Sequence, residues 1–218
     1  KLADENLNLC WTISNTRSEA IDEEVVKLLI KAGCVRLMVA PESGSENQQL
    51  DMNKKVNLED MAECVKTIGK TKLALKANFI VGLPNEGHID ILKSIYYGLK
   101  LAYKGVDSVL FYRFVPYPGT NYFNLLQERE VIPPFGDDFD LFLVSNVYND
   151  LVKLKSYNDN VSKFALQCYI GAGFGLSFLM YMTTHPSEFI PTIKRIAAKK
   201  PKSVMEALIL NLMEKKIF

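Results

Sequence analysis

At 218 residues, with 48% hydrophobic side chains and 26 basic against 25 acidic residues, the chain is long enough for one good core, or for a core carrying an appended helical module. The balanced charge, and the lack of any basic block interleaved with aromatics, argue against nucleic acid as a partner. Four cysteines, Cys10, Cys34, Cys64 and Cys168, lie far apart with no Cys-x-x-Cys pair, so neither a zinc site nor a local iron–sulfur ligand set can be read from them. Their apolar or helical surroundings suit buried free thiols, and with no secretion signal at the start the expected setting is reducing and cytoplasmic.

In chain order, apolar and polar residues alternate from Leu7 to Ser14, the pattern of a strand with one apolar face. Arg17 follows at its exit. Ile21 to Ala32 has helical spacing, with Val25, Leu28, Leu29 and Ala32 on one side, acidic residues in the first turn and Gly33 as the stop. Cys34 to Ala40 is a second strand running into Pro41-Glu42-Ser43-Gly44-Ser45. Its face of Val35, Leu37, Val39 and Pro41 leaves Arg36, Met38, Ala40 and Glu42 opposite. Glu42 is therefore expected to point inward at the strand exit, where a carboxylate needs Arg36, Arg17, Lys76 or a ligand as partner. Leu58 to Gly69 reads as a helix and Leu73 to Val81 as a strand ending in a Gly82-Leu83-Pro84 turn. Outer positions of a helix-covered parallel sheet must be apolar, which assigns Ala77, Phe79 and Val81 outward and Lys76, Asn78, Ile80 and Gly82 to the other side. Gly82 either permits the turn or lets something approach the backbone. His88 to Tyr103 is helical, with Ile91, Leu92, Ile95, Leu99 and Ala102 on the packed side. In the fourth strand, Val106 to Val115, either Arg113 or Tyr112 points inward, and Arg113 is taken as the candidate.

This regular alternation predicts an α/β fold, a partial (βα) barrel with about four parallel strands over residues 1–132, followed by an all-helical extension over 133–218. Four strands do not close such a barrel, and the chain opens on Lys1 beside a strand, so it reads as a piece of something longer. Helices are expected over Leu141–Leu154, Val161–Met182, Glu188–Lys199 and Ser203–Lys216. Phe164 to Thr184 holds no charged residue, and its Gln167 and its glycines favour a buried helix or apolar lid over a membrane span. A membrane surface is the less favoured partner.

Four phrases, in this order, resemble the second part of the catalytic barrel of radical S-adenosylmethionine (radical SAM) enzymes, most closely the cobalamin-dependent group. They are Trp11 through Arg17; Ala32-Gly33-Cys34 with Pro41-Glu42-Ser43-Gly44-Ser45-Glu46; Asn78 through Glu86; and Pro116-Tyr117-Pro118-Gly119-Thr120. The resemblance implies strands three to six of a six-stranded partial barrel. It implies S-adenosylmethionine and a four-iron four-sulfur cluster as cofactors, and reductive cleavage of S-adenosylmethionine for methyl transfer, cyclisation or rearrangement of a small-molecule substrate, an apolar one among the candidates. Cobalamin is a further cofactor within its scope. The family's Cys-x3-Cys-x2-Cys cluster loop is absent from this chain. Carried over residue by residue, Arg17, Glu42, Ser43, Asn78, Ile80, Gly82 and Arg113 become the cofactor-binding candidates, with the missing part of the barrel or a partner subunit beside them. The alternative is a non-catalytic half-barrel that completes a partner's sheet or holds an apolar ligand.

Overall fold

Four strands alternate with helices: β1 (Trp11–Thr16), α1 (Glu23–Lys31), β2 (Cys34–Glu42), α2 (Glu46–Asp51), α3 (Leu58–Gly69), β3 (Ala74–Val81), α4 (His88–Tyr103) and β4 (Ser108–Arg113). The computed structural model describes residues 4–5, 9–16, 21–54, 56–140, 142 and 155–214. After β4 come α5 (Asn121–Glu128), α6 (Lys163–Thr184), a single 3-10 turn (Pro186–Glu188), α7 (Phe189–Ala197) and α8 (Val204–Glu214). Polar side chains set where several helices begin. The Asp22 carboxylate accepts the N–H of Val25 at the head of α1, and the Asn57 carbonyl accepts those of Glu59 and Asp60 at the head of α3.

The sheet order is β1-β2-β3-β4, all parallel. Each crossover thus steps one place in the same direction, and crossovers of one hand put every connecting helix on one face. A doubly wound sheet would need a reversal of order. One face is therefore covered and the other open, the arrangement of a partial βα barrel. On the covered face Leu37, Val39, Leu75, Ala77, Phe79, Val109 and Phe111 meet Val26, Met61, Val65, Ile68, Ile91 and Leu101 of the helices in one core. Phe79 stacks on Phe111 with centroids 4.9 Å apart. α6 packs against α4 and β4 on this same face. It brings Leu166 and Tyr181 into the core and occupies the place where the next crossover helix of a barrel would lie. A second cluster of Leu83, Phe114, Phe123, Leu126, Ile132, Phe139 and Tyr157 lies beyond the strand ends.

Several expectations are corrected. In α1 the buried residue is Val26, while Leu28 is exposed, and Leu92 of α4 is likewise exposed. Val35 lies at the start of β2 and is exposed rather than covered. Cys34 and Cys64 are buried, but Cys10 and Cys168 are exposed thiols. The short helices α2 and α5 were not expected. Arg17, and nearly all of the helix expected over 141–154, lie outside the described residues.

Candidate functional site

The open face is built by alternation. β2 sets half-exposed Arg36, Met38, Ala40 and Glu42 between buried Leu37, Val39 and Pro41; β3 sets half-exposed Lys76, Asn78 and Ile80 between buried Ala77, Phe79 and Val81. Register then aligns these residues in rows climbing toward the strand ends: Met38 beside Lys76, Asn78 beside Leu110, Ile80 beside Tyr112. Glu42 lies at the β2 exit, past a shift in register after Val39 that sets it beside Phe79 rather than in the row of Asn78. The fourth strand corrects one expectation: Tyr112 is 41% exposed and faces the open side, with Lys76 Nζ 5.6 Å from its ring centroid. Arg113 is 6% exposed and shares the buried side with Val109 and Phe111. The cause is α6, which covers the Phe111 side of β4, so the phase of this strand is opposite to the one chosen.

At the rim, Glu42 has a left-handed backbone, φ 63°, a conformation a non-glycine residue adopts at a cost of about 1–3 kcal/mol. Its carboxylate pairs with Lys54 Nζ at 3.0 Å, a partner supplied from just beyond the unexpected helix α2 rather than by Arg36 or Lys76. Ser43 is fully buried and turned toward α4: its hydroxyl lies 3.0 Å from Ser94 Oγ and accepts the N–H of Ser45. The Ser45 hydroxyl donates to Asp90 Oδ1 at 2.6 Å. Gly44 between them sits so close to α4 that a Cβ would lie 2.5 Å from the Lys93 carbonyl oxygen. The Ser-Gly-Ser phrase thus fastens the β2 exit to the first turns of α4.

Gly82 has φ 86°, a left-handed turn that glycine adopts without strain. What approaches it is Leu166 of α6, whose Cδ2 would lie 2.5 Å from an added Cβ. The turn is closed by Glu86, whose Oε2 accepts the N–H groups of Gly82 and Leu83. Glu86 is fully buried, and its Oε1 has no hydrogen-bond partner among the described residues. Burial pushes this carboxyl up to about 7 against the pull of the two N–H groups, with Asp90 adding to the rise. From the other side, the Asn158 carboxamide donates to the carbonyls of Leu83 and Glu86 and accepts the N–H of Asn160 and Val161. Asn160 donates to Asn85 O, and Asp159 N–H to Pro84 O. The strand-to-helix turn is thus held by a strap, residues 157–161, that sequence periodicity could not reveal, because its residues belong to no regular element. Asn85 also meets Asp51 Oδ2 at 2.7 Å and accepts the Tyr122 hydroxyl at 3.1 Å, on the wall of a cavity of about 420 Å³ lined further by Asn121, Asn124 and Glu128.

The thiols do not fit an iron–sulfur cluster. Two are buried and two exposed, and among the described residues no group of three or more His, Cys, Asp or Glu side chains could hold a metal ion. On the open face Ile80 and Tyr112 form an apolar ledge with the Asn78 carboxamide one row below, and the Glu42 carboxylate stands at the β2 exit.

Residues 1–95 match the sequence model of the Radical SAM superfamily. A Pyrococcus horikoshii protein described as "Uncharacterized methyltransferase PH0819" is 29% identical over 120 residues, 55% of this chain and 25% of the relative. The chain therefore spans about a quarter of the length of the curated relative it matches. Among solved structures, TsrM of Kitasatospora setae, a radical S-adenosylmethionine methyltransferase with cobalamin and a 4Fe-4S cluster bound, is 17% identical with a TM-score of 0.49, over 62% of this chain and 24% of that one. Coproporphyrinogen III oxidase (HemN) of Escherichia coli, a radical SAM enzyme, is 14% identical with a TM-score of 0.43, over 62% of this chain and 31% of that one.

Proposed function

We propose, on the premise that residues 1–95 are radical SAM superfamily sequence, that the chain forms the S-adenosylmethionine-gripping part of a radical SAM methyltransferase barrel. The observation that carries this reading is the set of rows on the open face. Ile80 and Tyr112 make an apolar ledge for a purine, and Asn78 stands one row below. Glu42 at the rim would exchange Lys54 for the ribose hydroxyls or the methionyl ammonium of the ligand. S-adenosylmethionine carries the methyl and radical chemistry. The chain's own part is to bind it, orient it and exclude water, with the Gly82–Glu86 turn held rigid by Glu86 and Asn158. The described residues offer no ligand set for a cluster, whose ligands would come from outside this chain. Methyl transfer is preferred over cyclisation or rearrangement on the description of the Pyrococcus horikoshii relative.

Calorimetric titration of the chain with S-adenosylmethionine tests this, with S-adenosylhomocysteine as competitor and cobalamin as a separate ligand. Binding of S-adenosylmethionine is expected, weakened about tenfold by Asn78→Leu and at least as much by Glu42→Ala, the loss of one neutral and one charge-assisted hydrogen bond. A chain with an intact circular-dichroism spectrum that takes up no S-adenosylmethionine overturns the reading. Anaerobic addition of iron and sulfide is expected to leave no stable cluster absorbance.

A further inference from the structure

α6 is 22 residues long, about 33 Å, and only 22% of its most apolar stretch is buried. It does not need to span a membrane to use that composition, because Leu166, Gly173, Ser177 and Tyr181 already bury its inner side. Its outer side carries Phe164, 75% exposed, with Leu176 and Leu179 further along. The neighbouring α4, packed against it and joined to it by the 2.9 Å contact of His88 Nδ1 with the Tyr169 hydroxyl, repeats the pattern. Ile89, Leu92, Tyr96 and Tyr103 recur on one side of that helix and are all exposed. α7 continues the pattern with exposed Phe189, Ile190 and Ile193.

Charge decides what covers these side chains. From Lys163 to Lys202 the chain holds six basic residues and one acidic residue, Glu188, although the whole chain is nearly neutral. Arg195 satisfies Glu188 at 3.2 Å. Lys93, Lys194 and Lys200 are exposed and have no ion pair among the described residues. A second copy seated by a two-fold axis would bring these like charges together. A surface of anionic headgroups above an apolar layer satisfies both features.

We propose that the outer side of α4 and α6, with the exposed side of α7, docks on an anionic lipid bilayer surface, the apolar side chains entering the headgroup–acyl boundary and the three lysines meeting lipid phosphates. This goes beyond the cofactor-binding reading and does not depend on it.

The test is co-sedimentation of the full chain with vesicles of phosphatidylcholine alone and with mixed phosphatidylcholine–phosphatidylglycerol vesicles. Uptake by the mixed vesicles is expected, falling as salt is raised. Lys194→Glu with Lys200→Glu should weaken it about tenfold or more, from roughly 1 kcal/mol for each cation near the surface. Phe164→Ser with Leu179→Ser, both exposed and so tolerated by the fold, should weaken it on mixed vesicles at any salt. Uptake that ignores lipid charge, no uptake, or self-association without uptake overturns the proposal.

Discussion

Glu86 shows how one buried carboxyl writes itself into the stability of the whole chain. Unfolded, it titrates near its ordinary 4.5; folded, burial holds it near 7. Between those values the folded chain keeps a proton that the unfolded chain has lost, so stability is full below about 4.5 and falls as pH rises through about 7. The difference amounts to about 3 kcal/mol by pH 8. Glu86→Gln keeps a carbonyl oxygen for the N–H groups of Gly82 and Leu83 and abolishes the titration. Thermal unfolding followed from pH 5 to 8 should therefore fall for the natural chain and stay nearly level for the variant, whatever their absolute difference. Parallel slopes for the two would remove Glu86 as the source. Glu206 works with the opposite sign. Burial raises its carboxyl, but the Arg195 guanidinium and the N–H of Lys202 outweigh burial and hold it below the usual range. Its contribution is present at neutral pH and lost as pH falls.

At the scale of elements, the Gly82–Glu86 turn owes its shape to the strap at 157–161 as much as to its own sequence. Asn158→Ala removes both donors to Leu83 O and Glu86 O and the acceptor for two N–H groups. The expected cost is about 2 kcal/mol, with the amides of Gly82 and Leu83 exchanging hydrogen faster in the variant while those of Leu37 and Leu75 stay unchanged. Uniform acceleration over all four would mean a global loss instead. The strap also marks the limit of what sequence discloses. The faces of β2 and β3 were legible because small polar or charged side chains, Arg36, Lys76 and Asn78, alternate with apolar ones, and only one face of the sheet is covered. β4 was not, since Leu110 and Tyr112 on its open side are as apolar as Val109 and Phe111 on the other, and the choice is made by α6, far along the chain. Glu42 found Lys54 rather than Arg36 because α2, Glu-Asn-Gln-Gln-Leu-Asp, is too short and polar to show a period. The apolar run of α6 predicted a helix, but not that half its circumference would stay uncovered.

Across the whole molecule, stability is distributed unevenly, and the sheet's two ends have different roles. The strand exits carry Glu42, Asn78, Tyr112 and the strapped turn. The opposite end is closed by Lys202, which precedes α8. Its carbonyl accepts from Arg36 Nη2, its Nζ lies 3.6 Å from Asp107, and its N–H donates to Glu206. Asp107 in turn accepts the N–H of Leu75 at 3.0 Å, so the pair α7–α8 is tied to the start of β3 through one residue. Within the pair, Arg195 reaches Glu206 at 2.8 Å, and Glu206 is 2% exposed; these helices hold each other more firmly than they hold the sheet. A unit fastened by few polar ties opens locally at lower free energy than the strands it covers. Arg36→Ala cuts one tie from a charged donor, worth about 1.5–3 kcal/mol. The amides of α7 and α8 should then exchange about tenfold faster or more, with those of β2 and β3 unmoved. Were the strands to lose protection equally, α7–α8 would belong to the same cooperative unit as the sheet, and the Lys202 contacts would be part of its core.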